Sequence, residues 1–339
     1  MTTKVLLPRS SDVAETTRAV WFALLAFGLL AIVPLFANRY VLSVLILVYY
    51  FAYVGQAWNI MMGFAGQLSL GHALYIGLGA YVPALLWLHL GVSPLIGVFA
   101  GMGTAMLVAA VIGWLGFRFG IEGVYFALLT IAFSEVARVA ADHIPFAGGA
   151  GGLFLPVPAA NKASALNLDG GPLLFYYITL TLAAAATALV AWLTRSRHGY
   201  IWRAIREDPQ AAEALGINLF AAKMKSILLS AAMTSIAGLI NAFYYRNLFP
   251  AQTFDMGRSL ELILAPIIGG LGTVLGPVVG AFILTPVGEA LIAVTHRLGL
   301  NAPGTKGVAY GLILMAMIFL KPDGIWPWLV RKFRIGDRR

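Results

Sequence analysis

The chain has 339 residues, 60% of them hydrophobic and only 11% charged, with a formal net charge of +9. Soluble domains are roughly 45–50% apolar and about 25% charged, so a water-facing exterior is excluded for most of this surface and lipid is the implied solvent. The absence of cysteine excludes disulfides, thiolate metal sites and cysteine nucleophiles; the basic excess falls in gaps between apolar runs, where it orients a membrane protein and does not signal nucleic acid.

A helix crosses the hydrocarbon with about 20 apolar residues. The apolar runs are continuous and do not alternate, which argues against a β-barrel. The first run, 19–37, follows a basic segment (1–18) with Lys4, Arg9 and Arg18; Pro34 and Asn38 close it. Its length predicts a retained first helix in place of a cleaved signal. Further spans are predicted at 41–61, 68–89, 92–115, 121–141, 172–194, 225–245, 259–271, 274–295 and 304–320. The segment 259–271 is short and ends in glycines, so it reads as a full crossing or a re-entrant element. The expected fold is all-α: a polytopic α-helical integral membrane protein of about ten transmembrane helices with Gly-interrupted segments, one membrane domain over 19–320.

Charge tests that count. With both termini cytoplasmic, 16 of the 23 basic residues fall inside, concentrated in 1–18, 195–225 and the tail 321–339. This bias fits the positive-inside rule and demands an even number of spans. Trp326 and Trp328 beside Lys321 suit an interfacial anchor.

Two stretches set many glycines against apolar sequence: 63–81, GFAGQLSLGHALYIGLGAY, and 269–282, GGLGTVLGPVVGAF. Glycine permits close helix approach or a break in a membrane helix. Such segments at corresponding positions of two halves point to a translocation pathway, with simple helix packing as the plainer reading. The pathway candidates are Gly66, Gln67, Ser69, Gly71, His72, Gly269, Gly270 and Gly272. His72 is three residues from Ser69 and shares its face; no second His or carboxylate at metal spacing accompanies it, so it reads as a hydrogen-bonded structural residue and no metal site is expected.

Three carboxylates fall inside predicted spans: Glu135, Glu261 and Glu289. Charges at this depth usually face protein or water. Glu135 and Arg138, and Arg258 and Glu261, are spaced to pair on one helix face, which reads as structural. Glu289 is the candidate for a proton-linked role. The outer loop 142–171 contains FAGGAGGLFLPVP, which predicts an extended segment without regular structure.

The longest predicted cytoplasmic loop, 195–225, carries its own local logic. Asp208 can cap a helix that Pro209 begins, and Gly216 can end it in the left-handed conformation. A compact helix near 209–215 is therefore expected, with Ala211, Ala212, Ala214 and Leu215 giving a small smooth face. Its plain reading is a solvated surface helix; its functional reading is a docking element. No catalytic residues are found, and no GK dipeptide of a phosphate loop occurs, so ATP-driven transport would need an ATPase on another chain.

The segments GFAGQLSLGHALYIGLGAY, ALLTIAFSEVAR, RAIREDPQAAEALGIN, SLELILAPIIGGLGTVLGPVVGA and PDGIW, in this order from about residue 40 to residue 326, resemble the LivM-type permease of high-affinity branched-chain amino acid ABC importers. The resemblance implies an ATPase-contacting role for Arg203, Arg206, Glu207, Asp208, Pro209, Ala211, Glu213 and Gly216. It also implies a second LivH-type permease, two cytoplasmic ATP-binding subunits that carry ATP and Mg, and a periplasmic or extracellular substrate-binding protein, all at a bacterial or archaeal cytoplasmic membrane. No cofactor is expected on this chain. Urea or short-amide transport within the same family is the alternative, and an ion-coupled secondary transporter the more distant one.

Overall fold

The chain must satisfy its backbone polar groups internally wherever lipid surrounds it, and helices do so within one segment. The computed structural model describes residues 27–156, 167–297, 304–321 and 323–333. Residues 27–30 are helical; most of the predicted first span lies outside the described residues. The long helices are α1 (Arg39–Asn59), α2 (His72–Leu90), α3 (Pro94–Arg118), α4 (Val124–His143), α5 (Pro172–Arg195), and, after two short helices α6 (Arg197–Glu207) and α7 (Pro209–Ala214), α8 (Leu219–Tyr245). Then follow α9 (Pro250–Thr253), α10 (Met256–Gly269), α11 (Gly276–Arg297), α12 (Thr305–Leu320) and α13 (Ile325–Phe333). Seven helices among the described residues are long and apolar enough to cross a membrane. The chain is thus an all-α multi-pass membrane protein.

Two helices form the centre. From Val48 to Met61 every residue of α1 and the π-helical turn that extends it (Ile60–Phe64) is buried, as expected for a helix that is apolar all round. It packs against α5 on one side and α11 on the other. The second, α8, packs against α2 and α3. Its approach to α2 depends on glycine: a Cβ at Gly238 would collide with the carbonyl of Ile76, and one at Gly79 with the carbonyl of Ser235. Small residues let membrane helices close to backbone distance. Gly238→Val should therefore reduce the amount of folded protein in the membrane several-fold and lower its thermal midpoint in detergent. Overpacking typically costs about 1–3 kcal/mol, and backbone leaves little room for relaxation.

Two expectations need correction. The outer loop has regular structure: 3-10 turns at Pro145–Ala147 and Gly149–Gly151 lead into β1 (Leu153–Phe154), which pairs antiparallel with β2 (Asn247–Leu248) after α8. Left-handed glycines at 148, 149 and 152 make the turns, and Arg246 holds the joint by donating to the Pro156 carbonyl and pairing with Asp169 at 2.7 Å. Two-residue strands carry no periodicity to read. Second, the predicted spans 68–89 and 259–271 are offset, and the first is shortened: residues 65–71 are non-helical before α2, while α10, as short as expected at 14 residues, is about 21 Å long, too short to cross alone. The end of the bundle with β1 and β2 is hereafter the clasp end, and the opposite end, with α6 and α7, the loop end.

Candidate functional site

The loop end forms as its residue chemistry dictates. The Asp208 side chain accepts from the amides of Gln210 and Ala211 at 2.9 and 3.0 Å, and Pro209 opens α7. Gly216, with φ of 82°, closes it; the Gly216 amide donates to the Glu213 carbonyl at 2.8 Å and the Ile217 amide to Ala212 at 3.1 Å. Asp208→Ala should cost α7 about 1 kcal/mol, read as faster hydrogen exchange confined to residues 210–214. Glu207, Ala211, Glu213 and Gly216 are exposed and Leu215 is 82% exposed. Ala212 is not on that face: it is buried beneath α7, because an anchored helix must bury one side. Grooves flank the tip on both sides, one against α6 at Trp202 and the other against the α3–α4 turn at Glu122.

The sequence does not announce α6, the helix before Asp208. Its Trp202 is buried and donates to the Ala222 carbonyl at 2.9 Å. Arg203 turns back to the Thr194 carbonyl at 2.8 Å and lies over the Tyr200 ring. Arg206, itself exposed, reaches across the loop end and donates to the carbonyl of Gly63. It does more than close one hydrogen bond. A Cβ at Gly66 would press on the Arg206 backbone and stem, and one at Gly272 would collide with its guanidinium. A single arginine on the loop therefore touches both glycine-rich segments.

Those segments, far apart in sequence, meet at the loop end. A Cβ on Gly63 would lie 2.7 Å from the Gly272 amide, a backbone-to-backbone approach only glycine permits. Asn59, fully buried on α1, holds the joint: its Oδ1 accepts from the Gly272 amide and its Nδ2 donates to the Thr273 carbonyl, both at 2.9 Å. One turn earlier, Gln56 donates to the Val274 carbonyl. Beyond the turn, Gly269, Gly276 and Gly280 let α10 and α11 touch through their backbones, while Gly270 packs against Pro327 at the start of α13.

Above this joint, two broken elements run in opposite directions. The α2 helix starts at His72, beside Ser230 in the middle of α8, and runs to the clasp end, where Tyr81 donates to the Leu248 carbonyl at 3.1 Å. The α10 helix starts near the same level: the Ser259 hydroxyl accepts from the Ala73 amide at 2.9 Å, and α10 runs to Gly269 at the loop end. Irregular chain, 65–71 and 254–255, completes each path. Half-helices whose N-termini meet at mid-depth are how transporters build substrate paths. Here the Ala73 amide at the start of α2 is already occupied by Ser259, and Thr130 accepts from Leu70 just before the helix at 3.1 Å.

His72 is fully buried, 3.1 Å from the Ser69 hydroxyl and 2.9 Å from that of Ser230, which donates onward to the Ala57 carbonyl. It knits α1, α2 and α8, and among the described residues no group suited to a metal accompanies it. Gln67 is buried and donates to the Ala65 carbonyl, and Gly71 packs on the Thr130 carbonyl of α4. Glu135 pairs with Arg138, and Glu261 with Arg258 at 2.9 Å. Glu289 sits half-buried on α11, in electrostatic reach of Tyr245. Asn59, Gln56 and the buried Lys223, paired with Glu122, escape a sequence reading that weighs intramembrane carboxylates and the polar residues within the glycine-rich segments.

The chain matches, over residues 40–320, the family described as branched-chain amino acid transport system, permease component. It is 26% identical to the high-affinity branched-chain amino acid transport system permease protein LivM of Escherichia coli, over 87% of this chain and 72% of that protein. It is 23% identical to the LivH permease protein of the corresponding system of Salmonella typhimurium, over 81% of this chain and 90% of that protein. No solved structure matches the chain significantly.

Proposed function

Because this chain belongs to the branched-chain amino acid transport permease family, we propose that it is the LivM-type membrane subunit of an ABC importer for leucine, isoleucine and valine. Its partners in this reading are a LivH-type permease, two cytoplasmic ATP-binding subunits that hydrolyse ATP with Mg, and a secreted binding protein. Ten spans with both termini in the cytoplasm, in a bacterial or archaeal cytoplasmic membrane, complete the topology. The loop end then faces the cytoplasm.

The observation that carries this reading is Arg206. The exposed tip formed by Glu207, Ala211, Glu213, Leu215 and Gly216 is available to an ATPase, and Arg206 links it to the glycine joint between Gly63 and Gly272. Closure of the ATPase subunits would draw α7 with them. The movement passes through α6 to the joint, and α5 and α8, attached at either end of the loop, rock with it. Such a switch needs an element with two arrangements that the nucleotide state biases; glycine contacts without interlocking side chains suit one.

The test is uptake by the five-component complex in proteoliposomes loaded with ATP. Accumulation of labelled leucine, isoleucine or valine that stops without ATP, and is unaffected by collapse of the proton gradient, is the expected result. Accumulation of urea in their place, or uptake that persists without the ATPases, would overturn it.

A further inference from the structure

A charged group at the middle of a bilayer cannot face hydrocarbon without a heavy cost, so its surroundings reveal what lies beside it. The α4 helix is 20 residues long, about 30 Å, which equals the hydrocarbon thickness. Glu135 is its twelfth residue, within the span and more than a turn past Thr130 toward the clasp end. Its side chain is 55% exposed, and its partner Arg138 forks onto both its oxygens while reaching Asp142 at 2.7 Å. Asp255, exposed where the chain enters α10, acts electrostatically on the same guanidinium. This polar group looks out of the bundle.

The same face of α4 is otherwise smooth. Tyr125, Leu128, Ala132, Val136 and Val139 recur at helical spacing and are exposed. The opposite face is buried against the rest of the bundle through Phe126, Thr130 and Ser134, with Thr130 and Ser134 bonded to the chain entering α2 and α10. The neighbouring α3 makes the contrast. Its exposed residues include Ile96, Phe99, Leu107, Val111 and Trp114, with no charge before Arg118. Lipid suits α3; it does not suit α4.

We propose that the exposed face of α4 is a water-lined wall of the translocation pathway, and that Glu135 and Arg138 receive the charged head group of a zwitterionic amino acid there. In the empty state the two side chains neutralise each other. A zwitterion offers each a substitute partner: its ammonium for Glu135, its carboxylate for Arg138. Leu128, Ala132 and Val136 leave a smooth apolar strip for an aliphatic side chain. The assignment of cargo rests on the proposed function, whereas the assignment of water does not.

The chain has no cysteine, so single-cysteine probes need no further engineering. In the complete transporter in native membranes, Ala132→Cys and Val136→Cys should react with a hydrophilic thiol reagent at least about tenfold faster than Phe99→Cys or Leu107→Cys on α3. Saturating L-leucine with its binding protein should slow the α4 reactions. The charge swap E135R with R138E keeps an ion pair and should still leave uptake down by about tenfold or more at normal membrane levels. Equal reactivity of the α3 and α4 probes would overturn the pathway assignment. Normal uptake by the swap would overturn the head-group role, since a purely structural pair is rescued by reversal. If the unmodified complex carries no amino acid, the functional reading and the head-group role fall, and the reactivity difference still decides the pathway wall.

Discussion

Replacing Arg206 by alanine should leave the protein in the membrane at near-normal levels while uptake falls by one to two orders of magnitude. The guanidinium makes a charge-assisted bond to the Gly63 carbonyl and fills the space beside Gly272, so its loss frees the loop helices from the joint without opening the apolar core. A coupling free energy of about 1–3 kcal/mol corresponds to roughly 5–150-fold. Basal ATP hydrolysis should persist, and its stimulation by the loaded binding protein should vanish. Arg206→Lys should rescue only part of the loss, because a compact ammonium can bond the Gly63 carbonyl but does not fill the space beside Gly272 as the planar guanidinium does. Full stimulation in the alanine variant would sink the coupling role.

Asn59→Leu should be the more damaging change to the fold. Asparagine here supplies one acceptor and one donor to consecutive backbone groups, Gly272 and Thr273. Leucine fits the volume and leaves both groups without their partner; each buried orphan costs about 1–3 kcal/mol. A lower thermal midpoint in detergent is expected, together with loss of transport greater than that of any single exposed substitution on α7. Asn59→Asp keeps the acceptor for the Gly272 amide but sets a carboxylate against the Thr273 carbonyl at a fully buried site, so it should not restore parental stability. If the leucine variant matches the parent in stability and transport, the Asn59 clamp does not hold the joint.

Much of the scaffold was legible because membrane helices are specified by length and composition. Five of the seven long helices match their predicted spans closely at both ends, while α2 begins later and α8 earlier than predicted, and the Asp208–Pro209 start and Gly216 stop of α7 follow directly from capping chemistry. The breaks were harder. Glycine in 63–81 and 269–282 signals that a helix is weakened, and nothing in the sequence shows which side of the break stays helical. That is decided by tertiary partners: Thr130 accepts the Leu70 amide before α2 and Ser259 the Ala73 amide within its first turn, while Gly63 and Gly272 occupy each other's missing side chains. The family resemblance assigns Arg206 to a partner protein, and its reach to Gly63 and Gly272 depends on a gap that only the folded glycine joint creates. Glu135 and Arg138 were correctly paired by spacing; their outward aim required the orientation of α4 within the bundle.

The β1–β2 clasp, small as it is, changes what α8 can do. At 27 residues, about 40 Å, α8 is a rod that begins at the loop end and is fastened at its far end, through Arg246 and β2, to the turn-rich segment on the opposite face. Tilting such a rod from one end displaces a surface on the other. A protein that grips the clasp segment and a protein that grips α7 would then report to each other through one lever, and thermodynamics makes the conversation symmetrical. Under the proposed function, whatever factor the nucleotide state of the ATPase subunits imposes on affinity at the clasp end, an occupant of that end must return to the nucleotide site.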